Sequence, residues 1–133
     1  MRIAVDAMGG DFAPAEIVAG AVDAARGLSG VDQIILVGRE EAIRRELAGH
    51  PASPKIEIFH ASEVVEMGES AAQAIRKKKD SSISRMIDLV KDGRADGAVS
   101  AGNTGGMVVA STLKLRTLEG VLRPAIATVM PTQ

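Results

Sequence analysis

The segment VSAGNTGG, residues 99–106, gathers residue types that seat an anion without a charged side chain. Ala98 and Val99 run into Ser100, Gly102, Asn103, Thr104, Gly105 and Gly106, and an apolar, helix-like run follows at once. A helix start carries unpaired amide N–H groups and a partial positive charge, and therefore attracts anions. Asn103 or Thr104 can cap such a helix, while Gly102, Gly105 and Gly106 leave the backbone open to close approach. A charge-assisted hydrogen bond contributes roughly 1.5–3 kcal/mol net, so three or four would hold a phosphate. The pattern is not a Walker loop, because no Gly-Lys-Ser/Thr follows, and it is not GxGxxG. The competing reading is a tight strand-to-helix turn with small residues for packing.

Two other segments offer related chemistry. MGGD, residues 8–11, follows the first apolar run; Gly9 and Gly10 can form a turn with exposed amides. Asp11 can cap the next helix or orient a ligand, and its carboxylate would repel phosphate if it pointed inward. RKKKDSS, residues 76–82, places Arg76, Lys77, Lys78 and Lys79 ahead of Ser81 and Ser82. These cations can neutralise a phosphate, receive an acidic protein or stand as a solvated face, and the serines can donate hydroxyls or cap a helix. Asp6, at the end of the first strand, is a loop organiser or an acid/base. His50 and His60 are isolated, so no metal site is expected.

Such loops need a scaffold. The 133 residues make one ordinary domain, able to bury about two-thirds of its unfolded surface. Its apolar content of 46% comes almost wholly from aliphatic residues, with two Phe and no Trp or Tyr. A net charge of −1 and the lack of aromatic stacking platforms argue against nucleic acid. The absence of Cys excludes disulfides, thiolate metal sites and a cysteine nucleophile. No run approaches the ~18 apolar residues of a membrane span, and no signal-peptide core is present, so a soluble intracellular domain is expected.

Short apolar runs at 2–6, 33–37, 55–60 and 97–100 read as strands, with Glu57 placing the third nearer an edge. A fifth strand is expected over 125–130. Helical spacing joins Ile17, Val18, Ala21, Val22, Ala25 and Leu28, with Pro14 suited to the first turn. Further helices are expected over 40–48, after a capping box at Ser70 and Gln73, through Ile83, Met86, Ile87 and Val90, and over 104–115. Strands alternating with amphipathic helices predict an α/β fold with a doubly wound, mostly parallel sheet. In such sheets ligands sit beyond the carboxyl ends of the strands, where strand order switches. That rule points to the loops at 7–14, 38–40 and 100–106.

Four segments, VDAMGGDFAP at 5–14, AIRKKKDSS at 74–82, VSAGNTGG at 99–106 and GVLRPAIATVMP at 120–131, then stand in a familiar order and spacing. Together they closely resemble the bacterial phosphate acyltransferase family, the acyl-carrier-protein:phosphate acyltransferases of phospholipid synthesis, from Met1 to the last residue. The resemblance implies transfer of a long-chain acyl group from acyl carrier protein to inorganic phosphate, giving an acyl phosphate. It also implies a three-layer α/β sandwich similar to phosphate acetyltransferases and isocitrate-dehydrogenase-like enzymes, and a cytoplasmic homodimer that can associate peripherally with the membrane. No cofactor and no nucleic acid partner are expected. Members of the family are more than twice as long, so residues 1–133 read as a single α/β domain at the amino-terminal end of a longer enzyme.

Matched residue by residue, MGGD implies Gly9, Gly10 and Asp11 in one cleft wall, and GNTG implies Asn103, Thr104 and Gly105 in another. The KK–SS match implies Lys77, Lys78, Ser81 and Ser82 near the phosphate or the acyl-carrier face. Asn103, Thr104 and Lys78 take the catalytic role in this assignment, and the others, with Ser100 and Gly102, bind phosphate or substrate. Gly106 stands where the family usually has Ala. Phosphate is already a nucleophile and needs positioning, while aimed N–H groups stabilise the thioester oxyanion, so direct attack is favoured. The alternatives are a non-catalytic phosphate- or nucleotide-binding module and a self-associating half-domain without activity of its own.

Overall fold

The computed structural model describes residues 1–127. Its elements run β1 (Arg2–Asp6), α1 (Ala15–Gly27), β2 (Gln33–Gly38), α2 (Glu40–Leu47), β3 (Ile56–His60), α3 (Ala71–Lys77), α4 (Ser82–Lys91), β4 (Gly97–Val99) and α5 (Thr104–Lys114). The strands form one all-parallel sheet in the order β3-β2-β1-β4. In register, Val5 of β1 faces Leu36 of β2 on one side and Val99 of β4 on the other.

The apolar run QIILV is explained by its two faces. Ile34 and Leu36 pack with Val18, Ala21 and Ala25 of α1 and Ile43 of α2. Ile35 and Val37 pack with Ile75 of α3, Ile83, Met86 and Ile87 of α4, and Ala110 of α5. A strand buried on both sides has no polar alternation to show, and each fully buried Ile or Leu contributes about 1.5–3 kcal/mol. The helices therefore divide into two layers with the sheet between them, as doubly wound topology requires.

The edges behave differently. β3 is an outer strand, and its Glu57 accepts a hydrogen bond from Gln33 Nε2 at 2.6 Å and pairs with Arg94 at 3.2 Å. The Arg94 guanidinium also lies 5.2 Å from the centre of the Phe59 ring. At the other edge, on the α1 side, Ile3, Val5, Ile17, Gly20, Val99 and Ala101 help line an apolar groove of about 420 Å³. Val99 is 55% exposed there.

Three local expectations need correction or restriction. The capping box at Ser70 and Gln73 is not made: both residues are exposed, and the Ser70 side chain makes no cap hydrogen bond. The Ser70 carbonyl instead accepts the Ala74 N–H at 2.8 Å, an ordinary helical bond. Asp11 does not cap α1, whose N-cap position is Pro14. The expected strand at 125–130 has irregular backbone through 127, and the rest of it lies outside the described residues. Among the described residues, no helix is long and apolar enough to cross a membrane.

Candidate functional site

The chain leaves β1 toward β2 and β3, then returns to place β4 on the other flank of β1. The strand order therefore reverses between β1 and β4, where a doubly wound sheet opens a crevice at its carboxyl rim. Two glycine-bearing loops leave the sheet at this point, one after Asp6 and one after Val99.

A buried carboxylate ties these loops together. Asp6 is 2% exposed. Its Oδ1 accepts the Met8 N–H at 3.1 Å, and its Oδ2 accepts the Ser100 hydroxyl at 2.8 Å. The Ser100 Oγ in turn accepts the Gly102 N–H at 3.1 Å. Above this link the two backbones touch. A Cβ on Gly9 would lie 2.6 Å from Asp6 Oδ2, 2.8 Å from Ser100 Oγ and 2.9 Å from Gly102 N. A Cβ on Gly102 would lie 2.9 Å from Gly9 Cα. No other residue type fits at either position without displacing backbone. Gly10 adopts φ +110°, a conformation that L side chains rarely take.

The start of α5 borders the same crevice. Asn103 is buried, and its Oδ1 accepts the Gly106 N–H at 2.8 Å, which caps the helix. Its Nδ2 donates to the Glu66 carbonyl at 3.1 Å and so fastens the 61–70 loop beside the cap. Both ends of the Asn103 amide are thus engaged within the fold. Thr104 and Gly105 are exposed, and among the described residues their amides have no protein acceptor. The same holds for the amides of Gly10 and Asp11. Gly105 is held close to α3, where its Cβ would meet the Ala71 Cβ at 3.1 Å. Gly106 faces α4, where its Cβ would lie 3.3 Å from Ile83 Cδ1.

Gly9, Gly10, Ser100, Gly102, Asn103, Thr104 and Gly105 thus share one rim, with Asp11 exposed on the first loop. The basic run begins at the end of α3, which packs against the start of α5, and its engaged groups bind other partners. Lys78 Nζ donates to the Val64 carbonyl and to Glu69 Oε2, each at 2.7 Å. The Lys78 hydrogen bond, helped by the Glu66 amide, lowers the Glu69 carboxyl below its ordinary pKa. Lys77 is exposed and lines, with Lys78, Glu69, Ser70 and Gln73, a separate pocket of about 150 Å³. Ser81 caps α4 by accepting the Ser84 N–H at 3.4 Å. Ser82 is buried; its N–H donates to the Glu63 carbonyl at 3.0 Å, and its hydroxyl has no partner among the described residues.

Asp80 completes this cluster. It accepts the Ser62 hydroxyl at 2.6 Å, the Ser62 amide at 2.9 Å and Arg85 Nε at 2.6 Å. Led by the Ser62 hydroxyl, these bonds push its pKa well below the usual carboxylate range. His60 Nδ1 accepts the Glu40 N–H at 3.4 Å, which places it at the start of α2. Among the described residues, no group of three or more His, Asp or Glu side chains gathers as a metal site. The part played by the 61–70 loop was not legible in the sequence, because Glu66 acts through its carbonyl and Glu69 follows no motif spacing to Lys78.

Comparison with known proteins adds a second line. A family model described as "Fatty acid synthesis protein" matches residues 1–133. The chain is 54% identical over 134 residues to a phosphate acyltransferase of Heliobacterium modesticaldum, covering 99% of this chain and 39% of that protein. It is 53% identical to one from Desulfitobacterium hafniense, again across 99% of this chain and 39% of the relative. A phosphate acyltransferase of Trichlorobacter lovleyi is 55% identical, with 99% and 38% covered. The chain therefore spans about two-fifths of the length of the curated relatives it matches.

Proposed function

The chain belongs to the fatty acid synthesis protein family, and from that premise we propose that it forms the phosphate-seating part of an acyltransferase site. The acceptor is inorganic phosphate, and the donor is a fatty acyl thioester of acyl carrier protein. A phosphate oxygen attacks the thioester carbonyl carbon, the carbon–sulfur bond breaks, and the carrier leaves as a thiolate that takes up a proton. The products are an acyl phosphate and free carrier protein.

The observation that carries this reading is the meeting of the two glycine loops at the point where strand order reverses, beside the open amides of Thr104 and Gly105. Amides at a helix start have no acceptor four residues back, so they stay available to an anion. Held rigidly, they position the phosphate and oppose the negative charge that grows on the thioester oxygen. Phosphate needs no activating base, so the mechanism proceeds by direct attack without an acyl-enzyme.

In this reading Thr104 and the amides of Gly10 and Gly105 meet the anion, while Asn103 fixes the helix that presents them. Arg76, Lys77 and Lys79, exposed and without an ion pair among the described residues, attract the acidic carrier; Lys78 acts by holding the 64–69 segment in place. The whole enzyme works in the cytoplasm as a homodimer, with peripheral contact to the membrane that receives its product. The test incubates acyl carrier protein loaded with a long acyl chain with this chain and with a full-length relative. Release of free carrier that depends strictly on phosphate supports the reading, and a covalently acylated protein side chain overturns direct attack. Saturable phosphate binding by both proteins, with no carrier released by the full-length relative, would reduce the site to a binding module.

A further inference from the structure

We propose that Asp6 is a positioning residue: its buried carboxylate sets the spacing between the two glycine loops and thereby the affinity of their rim for an anion that Asp6 does not itself meet. The proposal rests on reading that rim as the phosphate site, and it gives a role there to Asp6, to which the residue-by-residue match assigned none.

A carboxylate that is 2% exposed is costly to bury unless its lone pairs are satisfied. Asp6 makes no ion pair with Lys or Arg among the described residues. Its partners are neutral donors, one from each loop: the Met8 amide at 3.1 Å and the Ser100 hydroxyl at 2.8 Å. Through Ser100 it also reaches the Gly102 amide. One charged group thus collects hydrogen bonds from segments 94 residues apart in sequence. Bonds to a charged acceptor are the strong ones, and this acceptor lies under the point where Gly9 and Gly102 touch. A loop joined to the sheet only through its own backbone would drift. These two are clamped to a common atom group, and their open amides keep a fixed separation.

The test measures inorganic phosphate affinity in the 133-residue chain and in Asp6→Asn, Ser100→Ala and the double variant. Asp6→Asn keeps the size but removes the charge that strengthens both bonds, and the Ser100 hydroxyl must then accept from the amide instead of donating to it. Each single variant is expected to weaken phosphate binding about tenfold, with the melting transition still cooperative. The double variant is expected to be weakened about tenfold as well, because both changes break one linked unit. Independent losses that multiply, or wild-type affinity in a folded Ser100→Ala protein, overturn the proposal. If Asp6→Asn fails to fold, Ser100→Ala decides alone.

If the wild-type chain shows no phosphate saturation, the functional reading fails first, and hydrogen exchange then judges the brace separately. Ser100→Ala should speed exchange at the Met8 amide, to which it is linked by hydrogen bonds through Asp6, as well as at Gly102. Faster exchange confined to Gly102 would sink the brace.

Discussion

Two segments carry residues suited to an anion: the glycine loops between β1 and β4, and the lysine–serine run over 76–82. In the second, Lys78 and the serines are taken up by the fold, while Arg76, Lys77 and Lys79 stand exposed with no ion pair among the described residues. Lys78 holds Val64 and Glu69, Ser81 caps α4, and Ser82 is buried. In the first, Asp6, Ser100 and Asn103 are also engaged internally, yet the amides of Gly10, Thr104 and Gly105 remain without protein acceptors among the described residues. A lysine can turn to any nearby carboxylate, whereas an amide in the first turn of a helix has nowhere to turn. Main-chain donors at a helix start are the more dependable sign of an anion site.

The sharpest way to break this contrast is to force the loops apart. Gly9→Ala and Gly102→Ala each place a methyl within 2.9 Å of fixed backbone. Each is expected to cost about 1–3 kcal/mol in thermal unfolding and to abolish phosphate binding by the folded fraction. Next in size is Asn103→Ala, which removes the α5 cap and the Glu66 tie. It should cost about 1–2 kcal/mol, while Thr104→Ala should stay within about 0.5 kcal/mol and weaken phosphate severalfold. Equal stability losses in the two variants would show that the loop is a cap and nothing more.

Lys78→Ala reads the other side of the comparison. The pair with Glu69 is partly exposed, so its loss should cost at most about 1 kcal/mol, and phosphate affinity should not change. Weaker phosphate binding with unaltered stability would return the lysine to the site.

The smallest effect is that of acid. Glu69 is lowered by its bond from Lys78, and Asp96, led by its side-chain bond from Arg2, is lowered from 3.8 to about 2. Carboxyls depressed in the folded state add stability that is present above their unfolded pKa and lost as pH falls through the folded one. Unfolding midpoints should therefore drop from about pH 4 toward pH 2, and Asp96→Asn should flatten that drop. A chain whose acid unfolding ignores Asp96→Asn would contradict the assignment.

The sheet was legible because its strands are unbroken apolar runs: 33–37 was expected and Gln33–Gly38 forms, with Glu57 marking the edge strand as anticipated. The sequence narrows the α5 cap to Asn103 or Thr104, and Asn103 makes it. What stayed hidden depends on long-range pairing. Nothing in the local pattern announces that Asp6 meets Ser100 94 residues later, or that Lys78 turns to Val64 and Glu69. Ser70 and Gln73 had the letters of a capping box and left it unmade, because those letters record only what a helix start permits.

The central claim is that main-chain amides at the β1–β4 rim, and not the lysine run, receive the anion. Titrating the isotope-labelled chain with inorganic phosphate and following each amide by NMR tests it directly. Saturable shifts at Gly10, Thr104 and Gly105, with Lys77 and Lys78 unmoved, are the predicted result. Shifts centred on Lys77 and Lys78, with the rim amides still, would contradict it.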